Sequence, residues 1–364
     1  MNRRILAILI VIILLAIPGT LLVTHGNLFP PEEKPYEITS IINDIKTDDS
    51  FTTQLIMGVQ QAERLAEKEG GSVSQDVILY MEDGWKEYFD KRNPVCNLVL
   101  TSTVEISDTI LEAAAANPNI SYVSIDLSYG DAELPPNLEN IQFRSNEPSF
   151  VAGYVAGSIT ETNKIGFLAG MDIPAIDCFY YGFCAGVDVA AAEQGKHIEV
   201  IRKTADTFQE ENVGYYLTKQ MYQSGCDICF MVAGNTGAGG MKAAEEMKKY
   251  IIGVDTDQAY LAPGWVIFSV IKDVKTAVKD KVIEHVKNGD LITGGTTSLG
   301  YTEDAVGVVS YLDTAVPSNL EERAHTVEEL ITNGYLEIPD NEESYQKFDA
   351  NQCLKVINYV EARE

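Results

Sequence analysis

Five side chains stand out because each follows or opens an element at one end of a strand-like run. Asp126 follows ISYVSI, Asp255 follows IIGV, and Lys272 closes FSVIK. Phe208 comes just after IRKTADT, and Phe51 opens the helix-like run FTTQLIMGVQQAERL. A carboxylate can accept two hydrogen bonds from vicinal hydroxyls. A lysine can donate to a sugar oxygen and balance Asp255. Two phenylalanines can stack on a flat ring from both sides, and Asp126 can accept from a ring N–H or an amino group. Asp44 and Asp49 add carboxylates in the stretch NDIKTDDSFT after the first strand. Singly, each residue has a structural reading: Phe51 as a hydrophobic staple, Phe208 as a loop plug, Asp255 as a cap, Lys272 as a solvated side chain. Together, at the same end of successive strands, they describe a cleft for a neutral, polyhydroxylated ligand with a flat ring.

MVAGNTGAGG, residues 231–240, poses a separate question, because a glycine-rich turn can cradle phosphate. Gly234 and Gly239 have the spacing of a Walker loop, but Gly240 and Met241 stand where Lys and Ser/Thr are needed. The dinucleotide pattern G-x-G-x-x-G is not completed either. A phosphate would also meet Asp126 and Asp255 with one lysine to offset them. The stretch therefore reads as a strand-to-helix turn whose glycines let backbone around Gly234, with Asn235 and Thr236, approach a sugar.

Catalysis has less support. There is no G-x-S-x-G elbow, no histidine after a strand, and no Cys/His cluster with metal spacing. The expectation is a binding protein with no catalytic residues, no metal and no cofactor. CDIC, residues 226–229, has C-x-x-C spacing but opens a strand-like run, whereas a redox pair sits at a helix N-terminus. It reads as two small buried residues.

The elements that must position these residues alternate along the chain. Strand-like runs at 36–42, 76–80, 96–103, 120–128 and 141–145 alternate with helix-like ones, and 164–171, 198–205, 226–234, 251–258 and 265–272 repeat the pattern. Strands separated by helices imply parallel sheets covered on both faces. Two sets imply an α/β protein of two doubly wound parallel-sheet lobes, and ligands bind such sheets beyond the carboxyl ends of the strands.

The 364 residues suit two domains, and 45% hydrophobic with 22% charged content is globular. A net charge of −27 sets aside nucleic acid and anionic lipid surfaces as ligands. At the N-terminus, Arg3 and Arg4 precede an uncharged, mostly apolar run from Ile5 to Val23, about the length that spans a bilayer. The arginines favour a cytoplasmic N-terminus with the rest of the chain outside. Residues 1–26 read as an uncleaved signal anchor, or else a cleaved signal peptide, and the proline-rich 27–35 as a stalk.

Several segments carry a resemblance: EPSFVAGYVAGSIT, KIGFLAGMDIP, VAGNTGAGG, IIGVDTDQ and SVIKDVKTAV, with good density from about 141 to 310. The chain resembles the basic membrane protein family, the purine-nucleoside receptors of ABC transporters. The resemblance implies a type I periplasmic-binding fold: two lobes joined by three crossings, near Arg144, Lys272 and Gly294. The N-lobe would be 36–144 with 273–293, and the C-lobe 145–272 with 294–364. It also implies a monomer that delivers a nucleoside to ABC permease subunits. The base would lie between Phe51 and Phe208 against Asp126, and the ribose would be held by Asp255, Lys272 and the turn at Gly234. DDSFT departs from the family's D-K-S-F-N, so Thr52 stands where that motif has an asparagine. No cysteine follows the hydrophobic run, so a lipid anchor is not available. The alternative is a membrane-anchored sensor or accessory binding protein of the same fold that feeds no transporter.

Overall fold

The apolar runs become strands because helices cover both faces of each sheet. In the computed structural model, which describes residues 35–43, 51–68, 71–80, 83–288 and 294–361, the runs Ser121–Ile125 and Ile228–Val232 are buried at every position. Parallel strands packed on both faces lose the in–out alternation of a solvated sheet. Residues 1–26, nearly all of 27–35, and Asp44 and Asp49 lie outside the described residues.

The strands are β1 (Tyr36–Ile42), β2 (Val73–Leu79), β3 (Leu98–Thr101), β4 (Ser121–Ile125), β5 (Leu138–Phe143), β6 (Lys164–Ala169), β7 (Glu199–Thr204), β8 (Ile228–Val232), β9 (Tyr250–Asp255), β10 (Val266–Lys272), β11 (Gly295–Leu299) and β12 (Val306–Val309). The first sheet has the order β2–β1–β3–β4–β5–β11 and the second β7–β6–β8–β9–β10–β12. The first five strands of each sheet are parallel and follow the same winding. In each, the chain steps to one side and then returns past its starting strand. That reversal opens a crevice outside the carboxyl ends of β1 and β3 in one lobe, and of β6 and β8 in the other.

The helices that cover the sheets are α1 (Phe51–Lys68), α2 (Trp85–Arg92), α3 (Ser107–Ala116), α4 (Asn146–Ile159), α5 (Pro174–Gln194), α6 (Glu211–Gln223), α7 (Gly234–Met247), α8 (Val274–Asn288), α9 (Ser318–Thr332), α10 (Glu342–Gln346) and α11 (Ala350–Glu361). The chain leaves the first lobe after β5 and returns after β10, where α8 packs on α1. β11 then pairs in parallel with β5, Gly295 opposite Glu139 through Leu299 opposite Phe143. Residues 295–299 thus belong to the first lobe, and the third crossing comes after Leu299 rather than near Gly294. The short crossing holds one turn of 3-10 helix, Tyr301–Glu303, and β12 after it runs antiparallel to β10. Arg144 ties two of the crossings together. Its guanidinium donates to Glu147 at 2.7 Å, to Glu303 at 2.6 Å and to the Ser298 carbonyl at 3.0 Å. The last helices, α9 to α11, pack against α4 and α5 and complete the second lobe's core.

The glycine stretch corrects the sequence reading. It is not a turn ahead of a helix; α7 begins at Gly234 and carries the glycines in its first turns. A Cβ on Gly239 would lie 1.8 Å from the Glu211 carbonyl oxygen. The glycine therefore lets the backbones of α6 and α7 approach more closely than any side chain would permit. Cys226 and Cys229 are both buried beside this pair, in the core that Met231 and Met241 share.

Candidate functional site

The carboxyl ends of the two sheets face one another across a cavity lined from both lobes, the place where such sheets bind small molecules. Each wall is built from the residue at a strand end. Asn43 follows β1, Ser102 follows β3 and Asp126 follows β4, while Ala233 follows β8 and Asp255 and Lys272 close β9 and β10. Phe51 and Thr52 enter from the first turn of α1, and Phe208 from the loop after β7. Gly234 and Asn235 enter from the first turn of α7.

Thr236 does not reach the cavity. It is fully buried, its hydroxyl accepts the Glu210 N–H at 3.0 Å and donates to the Thr207 carbonyl at 3.2 Å, and its N–H donates to the Phe208 carbonyl at 3.1 Å. Its role is to hold the loop that carries Phe208. Gly170, at the end of β6, makes room for that ring: a Cβ there would lie 2.2 Å from Phe208 Cε1.

Lys272 is the most constrained charge in the site. Its ammonium lies 2.6 Å from Asp126 Oδ2, with both side chains less than a tenth exposed. It also sits over the rings of Phe51 at 4.6 Å and Phe179 at 4.9 Å from their centroids. Such contacts stabilise a desolvated cation. Its hydrogen-bonded partner is Asp126, across the cleft, and its charge also acts on Asp255. The other Asp126 oxygen accepts the Phe143 N–H at 2.9 Å. Burial depresses the Lys272 pKa, yet the carboxylates of Asp126 and Asp255 and the hydrogen bond outweigh it, and the net shift is upward.

Asp255 is in the opposite condition. Burial raises its pKa, Lys272 opposes that, and the nearby Asp126 carboxylate adds to the rise. Among the described residues no hydrogen bond reaches its carboxylate. Its backbone carbonyl accepts from Gln54 Nε2 at 3.3 Å, while Gln54 Oε1 accepts the Lys275 N–H at 3.3 Å. A glutamine of α1 thus reaches across to the second lobe.

Several lining residues were missed from sequence. Ile176 and Phe179 share one face of the first turns of α5, and Gln209 is next to Phe208. Ser102 and Asn43 follow strands β3 and β1, so the strand-end rule that selected Asp126 would also have found them. Among the described residues, no group of His, Cys, Asp or Glu could hold a metal ion.

Comparison with known proteins agrees with this architecture. The family profile described as "ABC transporter substrate-binding protein PnrA-like" matches residues 36–342. Basic membrane protein A1 of Borrelia garinii subsp. bavariensis (strain ATCC BAA-2496 / DSM 23469 / PBi) is 31% identical over 96% of this chain and 99% of its own. Basic membrane protein D of Borreliella burgdorferi (strain JD1) is 35% identical over 69% of this chain and 74% of its own. A solute-binding protein of an ABC transporter system from Aeropyrum pernix K1 superposes with a TM-score of 0.74 at 21% identity, covering 89% of this chain and 98% of that one. That likeness shows the fold: an α/β protein of two parallel-sheet lobes. With the profile and the full-length relative, it places the chain in the PnrA-like family of ABC transporter substrate-binding proteins.

Proposed function

We propose that this protein captures a nucleoside with a purine-sized base on the outer face of the cell membrane and delivers it to ABC permease subunits. The observation that carries the reading is the division of the cavity between two phenylalanines and a carboxylate with no hydrogen bond among the described residues. Phe51 and Phe208 can take a flat base. Asp255 can accept from two ribose hydroxyls, which would compensate the desolvation that raises its pKa. Gly234 and Asn235 lie beside the same cavity and can approach the sugar. Lys272 donates to Asp126 and can turn a further N–H toward a sugar oxygen. Two carboxylates against one lysine disfavour a phosphorylated ligand. The hydrophobic N-terminal segment supports membrane anchoring, and the protein works as a monomer without catalysis.

Calorimetry of the full chain with inosine, guanosine and adenosine tests the reading. At least one should bind, and the nucleoside should be recovered intact with no free base released. A folded protein that binds none of the three overturns the proposal.

A further inference from the structure

Asp255 is held in a backbone conformation that a residue with a side chain rarely adopts. The Thr256 N–H donates back to the Val254 carbonyl at 2.8 Å, which closes a three-residue turn centred on Asp255, and the Asp255 φ of 66° is left-handed. A turn of this hand is strained and persists only where its surroundings fix it. From its own lobe it is tied at Val254, whose N–H donates to Gln258 Oε1 at 3.1 Å. From the opposite lobe it is tied at Asp255 itself, whose carbonyl accepts from Gln54 Nε2 at 3.3 Å. Gln54 is buried, and its orientation is set by the first turn of α8. Its Oε1 accepts the Lys275 N–H at 3.3 Å, a donor of the kind a helix start leaves unpaired. That bond fixes which end of the amide is which, so Nε2 faces Asp255. One turn further along α1, a Cβ on Gly58 would lie 2.6 Å from the Lys275 carbonyl oxygen. The two helices therefore meet backbone to backbone, which keeps Gln54 pressed against α8.

We propose that Gln54 is a positioning residue for the ribose: its amide, carried by the first lobe, fixes the turn at Asp255 in the second and so aims the carboxylate at the sugar. This rests on the nucleoside reading above and adds to it the group that sets the ribose acceptor. The direction of the carboxylate follows from the backbone of a left-handed residue, and the ties on that backbone are complete only when the two lobes meet. Sugar recognition and closure of the cleft are then one event. Gln54 stands outside the cavity lining and acts through Asp255 without touching the ligand.

Gln54→Met keeps the length of the side chain and removes both hydrogen bonds. In calorimetry of the full chain, the preferred nucleoside among inosine, guanosine and adenosine should bind about five- to tenfold more weakly than to wild type, and its free base within about twofold of wild type. In an Asp255→Ala background the same substitution should change nucleoside affinity by less than about twofold, because the group it positions is gone. Gln54→Glu retains the acceptor for the Lys275 N–H and loses the donor to the Asp255 carbonyl. It should give the same sugar-dependent loss, and it carries the test if the methionine variant does not fold. Unchanged nucleoside affinity, equal losses for nucleoside and base, or the full loss repeated in the Asp255→Ala background overturns the assignment. No binding of any of the three nucleosides by the wild-type chain would instead remove the nucleoside reading on which it stands.

Discussion

Asp126 and Asp255 occupy equivalent places in the two lobes, at the end of the fourth strand of each winding, β4 and β9. Both even have left-handed backbone, with φ of 55° and 66°. Their surroundings differ. Asp126 is saturated by a backbone N–H and a buried lysine, whereas the Asp255 carboxylate is desolvated with no hydrogen bond among the described residues. The same residue at the same topological position is therefore a structural charge in one lobe and the proposed binding charge in the other. The neighbour decides which: Lys272 extends from β10 toward Asp126 and not toward Asp255.

The largest effect should come from breaking the satisfied carboxylate. Asp126→Ala leaves the Lys272 ammonium buried without its hydrogen-bonded partner, which costs about 3–5 kcal/mol in comparable cases. Denaturant unfolding should show a loss of at least about 3 kcal/mol, and adding Lys272→Met should recover much of it. An unchanged midpoint in the single variant would mean the ion pair carries no stability, and the contrast between the lobes would vanish.

Asp255→Ala should do the reverse. Removing a carboxylate whose ionisation is disfavoured in the empty protein should leave the unfolding midpoint unchanged or higher. Nucleoside affinity should fall about 100-fold, corresponding to two charge-assisted hydrogen bonds, with little loss for the free base. Equal losses for nucleoside and base, measured by calorimetry, would refute its role at the ribose.

Gly170→Ala probes the aromatic wall. The methyl group collides with the Phe208 ring and must displace it. The lost contact with a base is worth about 1 kcal/mol, a five- to tenfold weaker affinity with the fold preserved. Full affinity in this variant would show that Phe208 does not touch the ligand.

The smallest effect is on pH dependence, and its sign follows from Asp255. Its folded pKa is raised above the ordinary value of 3.8. Its contribution to the stability of the empty protein is thus present below that ordinary value and lost as pH rises through the raised one. Hydroxyl donors favour the ionised form, so nucleoside affinity should be full above the raised pKa and decline as pH falls through it. Calorimetry in buffers of different ionisation enthalpy should detect proton release on binding in that window, and Asp255→Asn should abolish it.

Much of the fold was legible because each buried strand is a continuous apolar run and each covering helix an amphipathic or small-residue one. The late strands were not: β11, GTTSL, is largely exposed, and only its register with β5 makes it a strand. The glycines of α7 misled for a related reason. Helix propensity disfavours them by about 1 kcal/mol each, but the close approach of α6 reverses that preference. In the site, the strand-end rule placed Phe51, Thr52, Asp126, Phe208, Gly234, Asn235, Asp255 and Lys272 around one cavity. It also offered Thr236, which faces the Phe208 loop instead, since one turn of helix carries side chains to opposite sides.

The sequence alone determined most of the element types, their division into two strand–helix sets and the end of the sheets at which polar residues collect, because hydrophobic periodicity and strand–helix alternation are local properties. Tertiary structure decided which of two aspartates Lys272 hydrogen-bonds and which glycines serve packing. Those outcomes depend on distances between residues remote in the chain, and no local pattern encodes them.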